Sequence, residues 1–296
     1  MSRSPAHRRT SPRTAPSHAP TWGDDVTELR LRSLTVTYGS VIATHAVDLT
    51  VPSGSLLAVV GPNGAGKSSL VEAVAGRARY RGDIALDGRS IDRLGTAART
   101  RSGVGVVPQE RELFHELNVH ENLVVGCAGL GRAATRGALE RSYEAFPILA
   151  KLRDRRAGHL SGGERQVLAI ARVLCRRPRV MLLDEPSVGL SPSMREQIVG
   201  NLVRTCREMR VTAVITEQFV EMVLGNVDAL VVLVNGRVEW RGAGARSDWP
   251  VIKQRYLGTG TASADAAVGS DRLGGRLAGS DADRPARAER NRKGGR

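Results

Sequence analysis

The sequence predicts an α/β fold in which short buried strands alternate with helices. Apolar runs of strand length lie at residues 56–60, 103–107, 180–183 and 211–215. Their near-continuous hydrophobicity is typical of parallel strands that are covered on both faces. Segments with the helical spacing of apolar residues follow, at 69–76, 119–156 and 191–209. A chain of 296 residues is long enough to bury a large core, as one domain or two lobes.

A glycine-rich motif joins the first of these strands to the first helix. Residues 61–68 read GPNGAGKS and fit the phosphate-loop spacing G-x-x-x-x-G-K-[ST] at every required position. The strand before it and the helix behind it are the context that this motif requires, which a glycine-rich turn with a chance lysine lacks. The candidate phosphate-binding residues are Gly61, Pro62, Asn63, Gly64, Ala65, Gly66, Lys67, Ser68 and Ser69.

The residue types of this loop indicate its chemistry. We expect Gly61, Gly64 and Gly66 to adopt positive φ, so that backbone N–H groups close around phosphates at a helix N-terminus. We expect Lys67 to reach the β- and γ-phosphates and the Ser68 hydroxyl to ligate Mg²⁺. The loop thus predicts a site for a nucleoside triphosphate with Mg²⁺.

Two carboxylates follow the apolar run at residues 180–183. Ligands of open parallel sheets bind at the carboxyl ends of the strands, which is where this run delivers Asp184 and Glu185. We expect Asp184 to hold Mg²⁺ and its waters, and Glu185 to polarise the attacking water as general base. The alternative is a solvated strand end without a catalytic role.

Residues 160–164 (LSGGE) predict the start of another helix. Ser161 and Glu164 have the spacing of a capping box. Gly162 and Gly163 leave the N–H groups of the first turn open to an anion, and phosphate is the anion that the other motifs indicate. An ordinary capped helix is the alternative.

Tyr38 lies at the end of a strand predicted at residues 29–37. An aromatic ring at this position could stack on adenine. A half-buried strand tyrosine fits the spacing equally well, so the spacing leaves both alternatives open.

The composition limits the classes of function. The formal net charge is +14, but half of it lies in the ends, at residues 1–23 and 259–296, and arginine predominates throughout. This pattern favours a diffuse, solvated charge over a nucleic-acid patch. The three cysteines lack the spacing of disulfide or zinc motifs, as in proteins of a reducing cytosol. No apolar run approaches the roughly 18 residues of a membrane helix, so we expect a soluble or peripheral protein.

The composition also predicts the domain boundaries. Residues 1–23 are rich in Ser, Pro, Arg and Thr, and residues 259–296 in Gly, Ala, Asp and Arg, so we expect both ends to be disordered. Residues 24–258 then form the folded domain, with a helical lobe at about 110–160. Near its end, Asn235-Gly236 between two apolar runs predicts a β-hairpin.

Taken together, these motifs resemble the ATP-binding subunits of ABC transporters, over about residues 29–258. The loop at 61–68 matches their Walker A motif, and residues 180–185 (VMLLDE) match their Walker B strand. LSGGE matches the ABC signature, which separates this family from other phosphate-loop ATPases. Three further segments match the Q-loop, the D-loop and the adenine-stacking A-loop: Gln109, residues 187–192 (SVGLSP) and Tyr38.

The resemblance implies a fold and a set of ligands. The fold is a phosphate-loop α/β fold with a mixed sheet core, an antiparallel β subdomain and an inserted helical subdomain. The cofactors are ATP and Mg²⁺, with Gln109 taking part in metal binding and catalysis. Members of the family work as head-to-tail pairs, so the signature residues of one chain cover the ATP bound by the other.

The resemblance extends to one subfamily, the second ATPases of branched-chain amino acid importers and their urea- and amide-importing relatives. The shared cues are Val107-Pro108-Gln109 with Phe114, Phe146-Pro147, the segment GLSP, Thr216-Glu217-Gln218 and Tyr256-Leu257-Gly258. Most ABC ATPases have a histidine that contacts the γ-phosphate where this chain has Gln218, and the subfamily often shows the same substitution. It also often has Glu at the position of Gln109, where this chain is like other ABC ATPases.

The resemblance therefore implies the ATP-hydrolysing subunit of an importer at the cytoplasmic face of the cell membrane. Its partners would be integral membrane permease subunits, a second and non-identical ATPase and, through the permease, an extracellular solute-binding protein. Gln218 implies weak hydrolysis at the chain's own Walker A site. One alternative is a non-transport ABC ATPase acting on DNA or ribosomes, and another is the ATPase of an exporter. No direct contact with nucleic acid is expected.

Overall fold

The computed structural model describes residues 27–257, so the ends predicted to be disordered, 1–23 and 259–296, lie outside the described residues. Within that range the chain forms eleven strands. They are β1 (Thr27–Tyr38), β2 (Val41–Ile42), β3 (Val47–Pro52), β4 (Leu56–Val60), β5 (Tyr80–Leu86), β6 (Arg89–Ser90), β7 (Val104–Val107), β8 (Val180–Asp184), β9 (Thr212–Glu217), β10 (Ala229–Val234) and β11 (Arg237–Gly242).

Eight α-helices lie in the same range. They are α1 (Lys67–Ala75), α2 (Thr96–Arg101), α3 (Val119–Gly126), α4 (Arg132–Ala145), α5 (Pro147–Lys151), α6 (Gly162–Leu174), α7 (Pro192–Glu208) and α8 (Trp249–Leu257). None of them is long and apolar enough to cross a lipid bilayer.

Six strands form a central sheet in the order β11-β10-β4-β9-β8-β7. The pairs from β10 to β7 are parallel, and β11 joins the edge in the antiparallel sense, so the sheet is mixed, as predicted. The register pairs Val60 of β4 with Glu217 of β9, and Thr216 of β9 with Asp184 of β8. The ends of three parallel strands therefore meet at one edge of the sheet.

The second sheet is antiparallel, as predicted. Its order is β2-β1-β5-β6, and β3 pairs with β1. A tight hairpin at Asp87-Gly88 joins β5 to β6, and another at Asn235-Gly236 joins β10 to β11 in the central sheet. All four of these residues have φ between 48° and 74°, as type I′ turns require. The hairpin at Asn235-Gly236 occurs where the sequence predicts it.

The hydrophobic core lies on both faces of the central sheet. Successive residues of β4 alternate between faces: Leu56, Ala58 and Val60 join one hydrophobic cluster, whereas Leu57 and Val59 join the other. The first cluster includes residues of α3, α6 and α7, and the second includes residues of α1 and the antiparallel sheet. Because both faces are covered, the strand is apolar throughout.

Three helices, α3 to α5, follow β7 and pack against α6 in the segment where the sequence predicts a helical lobe. A capping box of Asn118 and Glu121 starts α3. Asn122 is fully buried, and its amide donates to the carbonyls of Phe114, Leu117 and Asn118. This amide fixes the loop that leads from β7 into the helices.

The helix α7 begins without a side-chain cap. Ser191 occupies the N-cap and Pro192 the first helical position, but the Ser191 hydroxyl does not cap the helix. It lies instead 3.4 Å from the hydroxyl of Ser193, which draws it away from the N–H groups of the first turn. The buried face of α7 carries Ile198 and Leu202, in agreement with the predicted spacing.

Candidate active site

The loop between β4 and α1 requires its glycines for two different reasons. Gly64 and Gly66 have φ of 78° and 99°, in the left-handed region that glycine tolerates. Gly61 does not have positive φ, so the prediction for this residue is wrong. A β-carbon on Gly61 would lie 2.1 Å from the carbonyl oxygen of Leu233 in β10. Glycine is therefore needed at position 61 because the neighbouring strand approaches closely.

The N-terminus of α1 forms the end of this loop. Gly66 is its N-cap residue, so the N–H groups of the first turn have no acceptor inside the helix. Helix N-termini of this kind favour anions, because these N–H groups and the helix dipole both present positive charge. Of the other loop residues, Asn63 is exposed, Pro62 and Ser69 are half-buried, and Ala65 is buried.

Lys67 is the first residue of α1, and its side chain is buried under the loop. Its Nζ donates to the carbonyl oxygens of Gly61 and Pro62, at 2.9 and 3.1 Å. It also lies 3.0 Å from Oε1 of Glu185. An ammonium group is thus held beside the loop by two carbonyls and one carboxylate.

A chain of hydroxyl–carboxylate hydrogen bonds links α1 to the two central strands. The Ser68 hydroxyl donates to Oδ1 of Asp184 at 3.0 Å, and the Thr216 hydroxyl donates to the same oxygen at 2.7 Å. Burial raises the pKa of Asp184, and the charge of Glu185 adds to this shift. The two hydrogen bonds oppose it because they stabilise the ionised form.

Glu185 has an unusual backbone conformation. Its φ is 46°, which is uncommon for a residue with a side chain. Its N–H donates to the hydroxyl and the carbonyl of Thr216, at 3.0 and 3.2 Å, so β9 stabilises this conformation. The turn directs the Glu185 carboxylate to Lys67. Lys67, Ser68, Asp184 and Glu185 are called the strand-edge cluster below.

Ser68 and Asp184 have the chemistry of a Mg²⁺ site. Mg²⁺ prefers oxygen ligands and is usually bound by one or two carboxylates together with substrate phosphates. The two oxygens of this pair are 3.0 Å apart, next to the phosphate loop. Among the described residues, no group of three or more His, Cys, Asp or Glu side chains could hold a metal ion alone. The pair therefore fits a Mg²⁺ ion whose remaining ligands are phosphates and water.

Three predicted residues belong to neither the phosphate loop nor the strand-edge cluster. Tyr38 ends β1 and is 49% exposed. Gln109 follows β7 and is exposed, whereas Gln218 follows β9 and is half-buried. Among residues 27–257, no hydrogen bond or ion pair joins Tyr38 or Gln109 to the strand-edge cluster.

The signature residues lie at the start of α6. In the sequence they are separated from the residues of the strand-edge cluster. Their capping box forms as predicted: the Glu164 N–H donates to Oγ of Ser161 at 3.3 Å, and the Ser161 N–H donates to Oε2 of Glu164 at 2.7 Å. A β-carbon on Gly163 would lie 2.3 Å from Cε of Met194 in α7. Gly163 thus lies against the Met194 side chain of α7, while Gly162 lies in the first turn.

Two residues make contacts that the motifs do not predict. Thr216 bonds the Asp184 carboxylate and the Glu185 N–H, although the sequence names it only as part of the run Thr216-Glu217-Gln218. Arg111 connects three segments, because its Nε donates to Oε1 of Gln166 at 2.6 Å and its Nη2 donates to the carbonyl of Val188 at 3.1 Å. Nothing near Arg111 in the sequence predicts these contacts.

Comparison with known proteins identifies the family. The family model for ABC transporters matches residues 44–188. The probable branched-chain amino acid transport ATP-binding protein LivF of Archaeoglobus fulgidus is 36% identical over 215 residues, which cover 72% of this chain and 91% of the relative. The chain belongs to the ATP-binding subunits of ABC transporters. It is an ATPase subunit whose activity is coupled to transport, and it binds ATP.

Other members of the family match over most of their length. The high-affinity branched-chain amino acid transport protein BraG of Pseudomonas aeruginosa is 35% identical, covering 75% of this chain and 95% of the relative. The lipopolysaccharide export protein LptB of Acidithiobacillus ferridurans is 33% identical, covering 78% and 96%. Among solved structures, the ADP conformation of an ABC transporter cassette has a TM-score of 0.66 and 26% identity, covering 79% of this chain and 100% of that chain.

Proposed function

We propose that this ABC ATPase hydrolyses ATP at the strand-edge cluster and powers the import of branched-chain amino acids or related small polar solutes. One observation carries the assignment of the site. Hydrogen bonds and one ion pair join the phosphate-loop residues Lys67 and Ser68 to the strand-end carboxylates Asp184 and Glu185. An ammonium, a hydroxyl and two carboxylates are the groups that phosphoryl transfer from a nucleotide requires.

The binding roles follow from the positions of these groups. The N–H groups at the start of α1 and the Lys67 ammonium bind the β- and γ-phosphates. Ser68 and Asp184 hold Mg²⁺, which neutralises charge on the phosphate oxygens when it is bound. The exposed ring of Tyr38 stacks on adenine, because it is open to a flat ligand.

Hydrolysis requires a base for the attacking water. Glu185 carries this role, since its backbone turn at the end of β8 places its carboxylate beside Lys67. The water attacks the γ-phosphorus, its proton goes to Glu185, and the bond to the ADP oxygen breaks. Gln109 and Gln218 follow β7 and β9, the strands on either side of β8. We assign to Gln109 a contact with Mg²⁺ and to Gln218 a contact with the γ-phosphate.

The partner ATPase explains why the signature stands apart from the cluster. Ser161, Gly162, Gly163 and Glu164 start α6, whose first-turn N–H groups have no acceptor inside the helix. In a head-to-tail pair they cover ATP that the partner binds. Because Gln218 replaces the usual histidine, the site at this chain's own Lys67 is the weaker of the two, and the partner is a different ATPase that keeps the histidine.

A groove beside the loop of Gln109 is the surface that we assign to the permease. It has a volume of about 750 Å³ and is lined by residues of β7, α3 and α6. Phe114 and Val125 line this groove, and 49% and 39% of their surfaces are exposed to solvent. Both side chains are apolar. A permease segment that covers them would hold the chain at the cytoplasmic face of the membrane, with a solute-binding protein on the outer side.

Branched-chain amino acid importers are the favoured assignment because both LivF and BraG match at 35–36% identity. LptB belongs to an exporter and matches at 33%, so an export role is the second candidate. Mass spectrometry of what co-purifies from gently solubilised native membranes distinguishes the two. A permease pair, a second ATPase and a solute-binding protein support the importer, whereas a permease without a binding protein supports the exporter. Recovery with ribosomes or DNA and no permease would contradict both.

The role of Glu185 is tested in that complex. Glu185→Gln keeps the size of the side chain but removes the base, so ATP should still bind but remain unhydrolysed at this chain's own site. The closed pair is then trapped, and turnover of the whole complex should fall by about a hundredfold or more. Glu196→Gln makes the same change on the exposed surface of α7 and should leave turnover unchanged. Near-normal turnover in Glu185→Gln would remove Glu185 as the base.

A further inference from the structure

A second buried glutamate lies one strand away from Glu185. Glu217 ends β9, and its side chain is fully buried. Its Oε2 accepts from the Ser187 hydroxyl at 2.9 Å, and its Oε1 accepts from the Ser187 N–H at 3.2 Å. Ser187 is also fully buried. The mechanism proposed above makes no use of either residue.

These two hydrogen bonds hold the loop that starts with Glu185. The Glu185 N–H is bonded to Thr216, and the Ser187 N–H two residues later is bonded to Glu217, so consecutive residues of β9 fix both ends of this short segment. The Val188 N–H then returns to the Glu185 carbonyl at 3.1 Å. The backbone turn of Glu185 is therefore enclosed between two fixed points.

Ionisation of the Glu217 side chain in this buried position costs free energy. Burial raises its pKa to about 7, and the charge of Glu185 adds to the shift. Hydrogen bonds from Ser187 and from the N–H of Gln218 oppose it. The other charged groups at this edge, Lys67 and Asp184, face Glu185 and Ser68. A glutamine would have the same shape without the cost of a buried charge, so the carboxylate destabilises the fold at neutral and higher pH.

We propose that Glu217 is a positioning residue for hydrolysis, whose carboxylate fixes Ser187 and thereby the backbone turn that aims Glu185 at the phosphate loop. The inference rests on the base role proposed for Glu185. A carboxylate accepts from both donors of Ser187 with two free oxygens, whereas glutamine offers one acceptor and places an amide against the other donor. One of the two hydrogen bonds is then lost, and the loop is held less firmly.

The pH dependence has a defined sign. Protonation converts one carboxylate oxygen into a donor, so the hydrogen bonding between Glu217 and Ser187 weakens as pH falls through about 7. Turnover should therefore fall on the acid side with an apparent pKa near that value. Stability changes in the opposite direction, because a carboxyl whose pKa is raised by folding stabilises the fold at low pH and loses this contribution as pH rises.

The test uses Glu217→Gln in the complex isolated from native membranes, with Glu221→Gln, an exposed glutamate four residues on, as the matched control. Turnover, KM for ATP and Tm are measured from about pH 6 to about pH 8.5. We expect Glu217→Gln to raise Tm at the alkaline end, to lower kcat at this chain's own site about tenfold with little change in KM, and to remove the acid limb of that site's pH profile. Ser187→Ala, which removes one of the two donors, should lower kcat in the same way.

The combination of a higher Tm and a lower kcat separates positioning from a purely structural role. A glutamate that only stabilises the fold would give a lower Tm, and its loss would leave the pH profile unchanged. Either result, or unchanged kcat in Glu217→Gln, overturns the inference. If Glu217→Gln does not fold, the carboxylate is structural and the inference also fails. The kcat of Ser187→Ala checks this conclusion independently. Normal turnover in Glu185→Gln would instead contradict the proposed base, whatever Glu217 does.

Discussion

Nζ of Lys67 lies 3.0 Å from Oε1 of Glu185, and only 3% and 9% of these side chains are exposed. The residue that we assign to phosphate binding is thus paired with the residue that we assign as base. Each neutralises the buried charge of the other. A phosphate bound at the loop competes with Glu185 for the same ammonium, which would release the carboxylate to the attacking water.

The ion pair predicts a double-mutant cycle. Lys67→Met should abolish ATP binding and destabilise the fold by about 3–5 kcal/mol, because it leaves the Glu185 carboxylate buried without a partner. Adding Glu185→Gln removes that charge and should recover most of the lost stability but no ATP binding. Denaturant unfolding and nucleotide titration measure the two effects. Lys151→Met on the surface of α5 is the control, and additive losses in the double variant would contradict the pairing.

Thr216 predicts a separate loss of stability and turnover. Thr216→Val keeps the shape of the side chain but removes the donor to Asp184 and the acceptor for the Glu185 N–H. Losing these two buried hydrogen bonds should cost about 1–3 kcal/mol and lower kcat, because the Asp184 carboxylate and the backbone turn of Glu185 are then held less firmly. Thr205→Val makes the same change on the buried face of α7. Equal behaviour of the two variants in unfolding and ATPase assays would show that Thr216 has no special role.

Two glycines, one in the phosphate loop and one in α7, give predictions of opposite sign. Gly61→Ala places a methyl group against the Leu233 carbonyl, so it should destabilise the fold by about 1–3 kcal/mol or more and weaken ATP binding. Gly200→Ala lies in α7, where a β-carbon meets nothing within 4 Å, so it should stabilise the fold by roughly 0.5–1 kcal/mol. Thermal unfolding of the two variants checks the pair. A stable Gly61→Ala protein with normal ATP affinity would contradict the close approach.

Gly61 also shows how far the sequence predicts this site. The motif spacing identifies the position as glycine, and the strand before it and the helix behind it are confirmed, because all three depend on residues that are neighbours in the chain. The reason for the glycine is a carbonyl more than 170 residues away, in a strand whose pairing with β4 no local pattern reveals.

The other residues of the site also divide into those set by neighbours in the chain and those set by contacts between distant residues. The capping box of Ser161 and Glu164 and the strand end at Asp184 are set by local spacing, so the sequence predicts them. The bonds of Thr216 to Asp184 and of Glu217 to Ser187 depend on the register of β9 against β8. That register follows from the packing of both sheet faces, which involves residues far apart in the chain.

Arg111 predicts coupling between the signature helix and the loop after Glu185. Its guanidinium donates to Gln166 of α6 and to the Val188 carbonyl, while the Arg172 side chain of α6 donates to the carbonyl of Glu112. The side-chain nitrogen of Gln166 is buried and has no hydrogen-bond partner among the described residues, and its oxygen accepts from Arg111. A movement of the loop after Gln109 would therefore displace the contacts that Arg111 makes with α6 and with the loop after Glu185.

Arg111→Met should leave ATP binding to the loop of Lys67 intact but lower the turnover of the assembled transporter. It also leaves the Gln166 oxygen unsatisfied, at a cost of about 1–3 kcal/mol. Adding Gln166→Met removes that buried polar group, so the double variant should regain stability without regaining turnover, which separates the two effects. Arg136→Met on the exposed face of α4 is the control. Nucleotide titration, ATPase assays and thermal unfolding measure the outcome, and recovery of turnover together with stability would show that Arg111 only supports the fold.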